Sequence, residues 1–315
     1  MLDLHFINVG DGDAALIEYT GPEGPWRLLV DAGREDVGVF PGSRRLTVSD
    51  YLRQKDISRL DAVVITHLHI DHFGGLARLL EEVELGQVIS GFFPKLPAGH
   101  IARTRTEEKT VCGLLDCLEQ WVADVEHLTA LGVPLCPAEG ALLTVSAPAA
   151  LEVEVIHPEP EAGLHQRQAW EELLSGGDTD APMVWWSAKY RNPGSLRVRL
   201  RYAGRRVELA GDCYGAAWES AAQRCDIFKV PHHGDGKSVT PELIARLRPA
   251  HAVVSCSAEY IQRKDRPSRG MAELLEAQGA RVWYTDRFCP PGGSPRDWAS
   301  VDFAIEEDGS IVPPE

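Results

Sequence analysis

The stretch that decides the fold is Thr66–Gly75, THLHIDHFGG. It places three imidazoles and one carboxylate within six residues, in a chain that has only 11 histidines. Imidazole nitrogen and carboxylate oxygen are the ligands that zinc and similar divalent metals bind well. Side chains two apart on an extended segment point to the same side, so we expect His67 and His69 to share one metal. Asp71 and His72, where the chain turns, are predicted to reach a second metal.

The flanking residues place this motif between a strand and a helix. Residues 61–66 (DAVVIT) form an almost continuous β-branched run, which is typical of a buried strand. After the two glycines, Leu76, Leu79 and Leu80 share one face of a helix that is predicted to run to about Glu82. A surface loop that happens to be rich in histidine is the alternative interpretation, and this ordered context disfavours it.

Two metals need more ligands than this one motif supplies, because four close side chains cannot complete two coordination shells. Asp212 alone could equally be a turn or helix-cap residue. Adjacent strand residues face opposite ways, so only one residue of the histidine pair is expected to bind metal unless Pro231 redirects the chain. The candidates for the missing ligands each follow a predicted strand: His157, Asp212, His232 and His233.

The composition is that of an ordinary globular protein of 315 residues, with 44% hydrophobic and 25% charged residues. The formal net charge of −15 disfavours nonspecific nucleic-acid binding unless a local patch overrides it. The seven cysteines are scattered without a C-x-x-C pair, which indicates neither a disulfide framework nor a zinc knuckle. With no apolar run of about 18 residues, we expect a cytoplasmic protein with no membrane contact. The sequence leaves the oligomeric state open.

The remaining pattern predicts two halves, each of which begins with hairpins and passes into β-α alternation. This favours an α/β fold of two sheets packed face to face with helices outside, in one domain over residues 1–315. The predicted strands are 2–9, 14–19, 26–31, 61–66, 142–145, 152–156, 195–202, 206–210, 226–230, 250–255 and 281–284, and the predicted helices are 48–54, 74–82, 103–131, 216–224, 241–247 and 268–278.

Two segments fit neither half and are interpreted as insertions over the site. Residues 91–131 contain the long amphipathic helical pattern 103–131, which needs a surface to cover. Residues 158–191 break the strand pattern with proline, glycine and aspartate. The second insertion also carries Trp170, Trp185 and Trp186, which could line an apolar pocket but are more commonly core residues.

With these residues in place, THLHIDHFGG resembles the H-x-H-x-D-H signature of the metallo-β-lactamase superfamily. Further stretches resemble the branch that contains the hydrolase domain of ComEC/Rec2 competence proteins and the phosphorylcholine esterases. The resemblance implies an αββα fold with two packed mixed sheets and two divalent ions, zinc first, with manganese or iron as alternatives. The matching stretches are Phe6–Ala14, Leu29–Gly33, Asn192 with Ser195, Gly211-Asp212 and Lys229–Gly234.

The resemblance also assigns roles. Asp212 would bridge both metals and act with Asp71 and His72 in catalysis. His157 would join the metal held by His67 and His69, and one of His232 and His233 would complete the other site. Behind these ligands, the supporting residues would be Asp31, Asn192 and Ser195, with Asp31 orienting ligand histidines. Where this branch often carries His-Pro, the chain has Arg266-Pro267.

The chemistry that follows is hydrolysis by a hydroxide that two metals activate. We expect a phosphodiester-type substrate, with Lys229, Lys237 or Arg266, and also Arg269, as cations that could contact it. One alternative is a hydrolase of a small-molecule carboxylic ester, lactone or amide, because the same metal chemistry serves acyl transfer. A second is a non-hydrolytic redox or binding protein on the same scaffold, which bound iron would indicate.

Overall fold

A computed structural model describes residues 1–38, 42–95, 108–259, 266–286 and 298–314. Within these residues the protein contains two large mixed sheets. In spatial order the first sheet consists of β17 (Ile311–Val312), β16 (Ser300–Ile305), β1 (Leu2–Ile7), β2 (Ala15–Gly21), β3 (Gly24–Val30), β5 (Ala62–Ile65), β7 (Val88–Ser90) and β8 (Leu135–Pro137).

The second sheet contains the later strands, and β4 (Arg59–Leu60) pairs with β6 (Glu84–Leu85) in a small separate ladder. In spatial order the second sheet consists of β15 (Arg281–Tyr284), β14 (His251–Val254), β13 (Ile227–Lys229), β12 (Arg205–Leu209), β11 (Arg197–Tyr202), β10 (Leu151–Ile156) and β9 (Leu142–Val145). The helices are α1 (Val48–Gln54), α2 (Ile70–Phe73), α3 (Leu76–Glu82), α4 (Lys109–Ala130), α5 (Pro160–Leu174), α6 (Pro182–Lys189), α7 (Pro241–Leu247) and α8 (Arg269–Ala277).

Alternating side chains divide the apolar core into layers. On β3, Leu28 and Val30 enter the core between the sheets, whereas Leu29 packs under the helices of the first half. On β13, Ile227 enters the core between the sheets and Phe228 packs against the helical layer of the second half. Since a strand's side chains alternate between its two faces, each sheet packs against the other sheet on one face and against helices on the other. The predicted αββα architecture is confirmed.

In each sheet the antiparallel hairpins give way to parallel strands. β3, β5, β7 and β8 run parallel in the first sheet, and β12 to β15 run parallel in the second. Ligands in open α/β sheets commonly bind beyond the carboxyl ends of parallel strands. The loops that follow β3, β5, β12 and β13 are therefore where a site is expected.

Helices α4, α5 and α6, which lie in the two predicted insertions, belong to the core of the first half. The buried face of α4 contains Trp121, Val125 and Leu128, which join the same apolar cluster as Trp170 of α5 and Val184 of α6. The prediction for 158–191 missed α5 and α6. Pro160 and Pro182 lie in the first turns of those helices, where proline is tolerated, so they do not break them.

Other elements differ from the prediction in detail. The predicted helix 103–131 begins at Lys109 in the structure, and residues 103–107 lie outside the described residues. Residues 216–224 form two 3₁₀ turns, Gly215–Ala217 and Glu219–Ala221, where a helix was expected. Trp218 between the turns has a non-helical φ of −139° and is buried under the Arg197 guanidinium. Strands β4, β6, β7, β8, β16 and β17 were not predicted. In the described part of the chain, none of the helices is both long and apolar enough to span a membrane.

Candidate metal centre

The sequence-predicted ligands other than His157 meet where loops of both sheets converge. His67 and His69 follow β5, Asp212 follows β12, and His233 follows β13. His67 Nε2 lies 2.8 Å from His69 Nδ1 and 3.7 Å from Asp212 Oδ2. One ligand atom from each of these three residues lies within 4.8 Å of the others. The two-residue spacing of His67 and His69 thus brings two imidazole nitrogens to a carboxylate from the other sheet.

A second group lies beside the first. It contains Asp71, His72 and His233, again with one ligand atom from each within 4.8 Å of the others. His233 Nε2 lies 3.2 Å from Asp71 Oδ2, and the His72 and His233 ring centroids are 5.8 Å apart. The His67 and His72 ring centroids are only 4.1 Å apart, so the two groups adjoin each other.

Asp212 connects the two groups. Its Oδ1 lies 3.3 Å from His72 Nε2, while its Oδ2 faces His67. The residue is 2% exposed, and its backbone N–H donates to Ser195 Oγ over 3.1 Å. Gly211 before it has a φ of +50°, and an added Cβ there would overlap the Ser195 hydroxyl. A glycine is therefore required to place the Asp212 carboxylate between the groups.

Asp31 supports the first motif from behind. One of its oxygens accepts the Thr66 backbone N–H at 2.8 Å, and the other accepts the Thr66 hydroxyl at 2.8 Å. The second oxygen also lies 2.7 Å from His72 Nδ1. A proton on Nδ1 leaves the Nε2 lone pair of His72 facing Asp212, which is the orientation that a metal ligand needs.

The histidine pair is redirected by the turn after Pro231. His232, His233 and Gly234 have φ values of +50°, +54° and +75°. Left-handed backbone costs of order 1 kcal/mol for a residue with a side chain, so two such histidines store strain. As a result both face the site: His232 Nε2 lies 3.8 Å from Asp212 Oδ2, and His233 Nε2 faces Asp71. Strand alternation alone does not predict this.

The two remaining supporting residues differ in their placement. Ser195 Oγ lies 3.3 Å from His67 Nδ1, in addition to its contact with Asp212. Asn192 interacts through its side chain with the Tyr214 hydroxyl, and the Tyr214 ring is 5.2 Å from the His232 ring. Ser195 thus contacts two members of the first group, whereas Asn192 lies at its edge.

His157 is a correction to the predicted ligand set, because the structure does not bring it to either group of the described residues. Its Nδ1 accepts the backbone N–H of Glu159 at 3.2 Å. Its Nε2 is packed against Gly163 of α5 so closely that a Cβ on that glycine would overlap the ring. Burial and the positive charge of Arg167 lower the pKa of His157 to about 4. It is a buried neutral side chain that packs under α5.

Lys229 is a second correction, because it does not reach an open substrate surface. It is 3% exposed, and its ammonium forms an ion pair with Asp13 between the sheets. Lys229 comes two residues after Ile227 on β13, so it faces the same inter-sheet side. The other predicted cations lie further out: Arg266 Nε donates to Asp235 Oδ2 over 3.2 Å, and Lys237 and Arg269 are exposed.

Sequence reasoning did not assign roles to Asp13 and Arg191. Asp13 offers an oxygen near His72 and Asp212. The buried Arg191 guanidinium donates to the Leu68 carbonyl over 3.1 Å and to the Ala188 carbonyl over 3.1 Å. This ties the metal motif to the end of α6. The run of small turn residues before Ala14 was the available signal for Asp13, whereas Arg191 had none.

Burial and mutual contacts set the ionisation of the site. Burial, then the neighbouring His72 and His69, hold the pKa of His67 well below its ordinary value. Burial and the positive charge of Arg191 lower the pKa of His69 to about 3. Burial alone would raise the pKa of Asp71, but the hydrogen bond from His233 and the nearby imidazoles hold it well below the ordinary value. The first pair is therefore neutral and Asp71 is ionised, which are the metal-binding forms.

The donor set and its charge fit divalent cations. Buried His72 Nε2 and Asp212 Oδ1 have no hydrogen-bond partner among the described residues, although they face each other. Unpaired buried polar atoms are costly unless something binds them. The carboxylates at the site are those of Asp13, Asp31, Asp71 and Asp212, and only Asp13 contacts a lysine. Two divalent ions would offset this negative charge.

Comparison with known proteins finds a family model that matches the first part of the chain. Residues 7–92 match the family model of the Metallo-beta-lactamase superfamily. The match includes Asp13, Asp31 and the His67–His72 motif, whereas Asp212 and His233 lie beyond it and are brought to the motif by the fold.

Similar proteins extend over most of this chain. ComE operon protein 3 of Bacillus subtilis (strain 168) is 23% identical over 300 residues, which are 90% of this chain and 32% of that protein. The chain thus spans about a third of the length of that relative. A CmlA beta-hydroxylase mutant has a TM-score of 0.49 at 14% identity, covering 90% of this chain and 52% of the other. The metallo-beta-lactamase fold protein YhfI from Bacillus subtilis has a TM-score of 0.48 at 11% identity, covering 90% and 96%.

Proposed function

We propose that this chain is a hydrolase of the metallo-β-lactamase superfamily that binds two divalent ions, zinc first, and cleaves a phosphodiester-type substrate. The observation that carries the proposal is the convergence of two ligand groups on Asp212. His67 and His69 face one of its oxygens and His72 faces the other. A carboxylate that contacts ligands of both groups is suited to hold two ions side by side.

The ligand residues form two sets, one for each ion. His67, His69 and Asp212 would hold one, and Asp71, His72 and His233 the other, with Asp212 shared. Two ions bound there would polarise the scissile group and lower the pKa of a bound water toward neutrality. Asp31 fixes the ring of His72, and Ser195 fixes the backbone of Asp212. These contacts keep the ligand atoms in place before substrate arrives.

The charge around the site supports an anionic substrate. With two divalent ions bound, the four carboxylates and Lys229 would leave one positive charge in excess. Arg191 adds another, because its hydrogen-bond partners in the described residues are neutral: Leu68 O, Ala188 O, Gly113 O and the Cys117 thiol. Arg266 lies near His232 but adds no net charge there, because it pairs with Asp235. A phosphodiester carries a negative charge that complements this field.

The experiment is a substrate panel on protein that has been stripped of metal and reloaded with Zn²⁺ or Mn²⁺. The panel contains bis(p-nitrophenyl) phosphate and oligonucleotides, together with carboxylic esters, lactones and amides. We expect phosphodiester turnover that falls at least 100-fold in His67→Ala and Asp212→Asn. The matched control is His127→Ala, which removes an exposed histidine from α4 and leaves turnover unchanged.

Each other result contradicts part of the proposal. Metal-dependent cleavage of esters, lactones or amides without phosphodiester cleavage would overturn the substrate class and support the first alternative. Iron as the metal that co-purifies, with no hydrolysis of any panel member, would overturn hydrolysis and support a redox or binding role. Turnover that survives Asp212→Asn would overturn the assignment of the site.

A further inference from the structure

A second carboxylate faces the metal motif from the glycine-rich loop after β1. Asp13 is 4% exposed, its backbone N–H donates to the Asp71 carbonyl over 3.0 Å, and its carbonyl accepts from Gly33 at 3.0 Å. An added Cβ on Gly12 would lie 2.6 Å from the Asp71 carbonyl oxygen. A glycine is thus needed for the loop to approach the motif so closely. Backbone contacts alone thus fix the position of Asp13 relative to Asp71.

The two Asp13 oxygens have different partners. Oδ2 forms the ion pair with Lys229, which comes from the other sheet. Oδ1 lies 3.5 Å from His233 Nδ1, and both of these buried atoms lack a hydrogen-bond partner among the described residues. They complement each other, since a protonated Nδ1 donates and a carboxylate oxygen accepts.

The surroundings of His233 repeat those of His72. His72 Nδ1 faces Asp31 and its Nε2 faces Asp212, at 2.7 Å and 3.3 Å. His233 Nδ1 faces Asp13 and its Nε2 faces Asp71, at 3.5 Å and 3.2 Å. In both cases a carboxylate behind the ring fixes the nitrogen that is turned away from the ligand group, which directs the other nitrogen toward it.

We propose that Asp13, anchored by Lys229, is the positioning carboxylate of His233 and so tunes metal binding in the Asp71–His233 half of the site. The inference rests on the proposed function, because it assumes a divalent ion at that half. The backbone of His233 is left-handed, and in this conformation its Nδ1 faces Asp13 Oδ1. Lys229 forms the buried ion pair with Asp13 and holds its other oxygen.

A competing role for Asp13 is that of a direct ligand, because it can be grouped with His72 and Asp212. Its contacts argue against this role. Oδ2 pairs with an ammonium, and Oδ1 faces a ring nitrogen that can donate to it. A direct ligand also has no need of Lys229, whereas a positioning carboxylate loses its effect when its anchor is removed. Substitution of Lys229 therefore separates the two roles.

The experiment is a metal titration of apo protein with Zn²⁺ alone, followed by competition with a chromophoric chelator, and by the Co²⁺ absorption spectrum. The variants are Asp13→Asn, Lys229→Met, Lys229→Arg and the double variant Asp13→Asn/Lys229→Met. The control is Asp11→Asn, which changes a partly exposed carboxylate of the same loop. The double variant removes both buried charges together, so it remains folded even where a single variant leaves one charge unpaired. Thermal unfolding of each variant checks its fold.

We expect wild type to bind two ions. Asp13→Asn and Lys229→Met weaken one of them by 10- to 100-fold and leave the other unchanged, with a changed Co²⁺ spectrum. The double variant binds this ion no more weakly than the worse single variant does, because the pair acts as a unit. Lys229→Arg retains most of the wild-type affinity. Equal affinities in wild type and the folded double variant would overturn the inference alone. Complete loss of one ion in Asp13→Asn, with normal binding in Lys229→Met, would identify Asp13 as a ligand and overturn it too. Fewer than two ions in wild type would overturn the proposed function itself.

Discussion

Helix α4 carries a buried acid whose ionisation should limit the stability of the protein. Asp124 is 4% exposed and lies on the same face as Trp121, Val125 and Leu128. Its Oδ2 has no hydrogen-bond partner among the described residues. Burial raises the pKa of Asp124 from 3.8 to about 7. We predict that Asp124→Asn stabilises the protein at neutral and higher pH.

The pH dependence follows from the protons that each state binds. Between about pH 4 and pH 7 the folded Asp124 is protonated while the unfolded residue is ionised. The folded state therefore binds more protons, and the free energy of unfolding falls as pH rises, until both states are ionised above pH 7. A pKa difference of about three units corresponds to about 4 kcal/mol. Relaxation and water entry around the carboxylate reduce this to about 2–4 kcal/mol.

The assay is urea denaturation of metal-free wild type and Asp124→Asn at intervals from pH 4.5 to 8.5. The difference in the free energy of unfolding between the variant and wild type isolates Asp124, because the contributions of the other titrating groups cancel. We expect this difference to rise with pH and to level off above pH 7. Glu126→Gln is the matched control, because it neutralises an exposed acid on the same helix. A difference that stays flat within about 0.5 kcal/mol across this range, or that falls with pH, would refute the burial of Asp124 against the core.

Three further substitutions test other parts of the structure. Gly163→Ala should destabilise the protein by about 1–3 kcal/mol in thermal unfolding, because the new Cβ overlaps His157. The double variant with His157→Ala should recover stability. No effect of Gly163→Ala would contradict that packing. Glu208→Gln should cost about 3–5 kcal/mol in urea denaturation, because it leaves buried Arg197 without a carboxylate partner among the described residues and Arg199 with Glu154 alone. Exposed Glu152→Gln should cost under about 1 kcal/mol, and equal costs would argue against a buried network. Asp31→Asn should weaken zinc binding by about 10- to 100-fold in a chelator competition, with exposed Asp36→Asn as its control; unchanged affinity would remove Asp31 from its orienting role.

Much of the fold could be predicted because its strands carry simple patterns. The β-branched run before His67 and the alternation in β10 to β13 predict two sheets, and α1 and α7 have the bounds that their sequences indicate. The prolines at the starts of α5 and α6 were misread as breakers. β16 was missed although it alternates, since its pairing with β1 joins residues about 300 positions apart.

The site was predictable where ligands are close in sequence and less so where backbone geometry decides. The spacing from His67 to His72 predicted two adjoining groups, which the structure brings together. Both His232 and His233 face the site because their backbone is left-handed. No residue type in the turn predicted that conformation. His157 follows a strand as Asp212 does, yet its neighbour α5 covers it. The inward direction of Lys229 could be predicted, because it lies two residues after Ile227 on the same strand. Its partner Asp13 could not, because it comes from the opposite sheet.

The most direct test of the proposed two-ion centre is a crystal structure of zinc-loaded protein with anomalous data on both sides of the zinc absorption edge. The account predicts two anomalous peaks in each chain, one among His67, His69 and Asp212 and one among Asp71, His72 and His233. A single peak, or a peak whose ligands include His157, would contradict it.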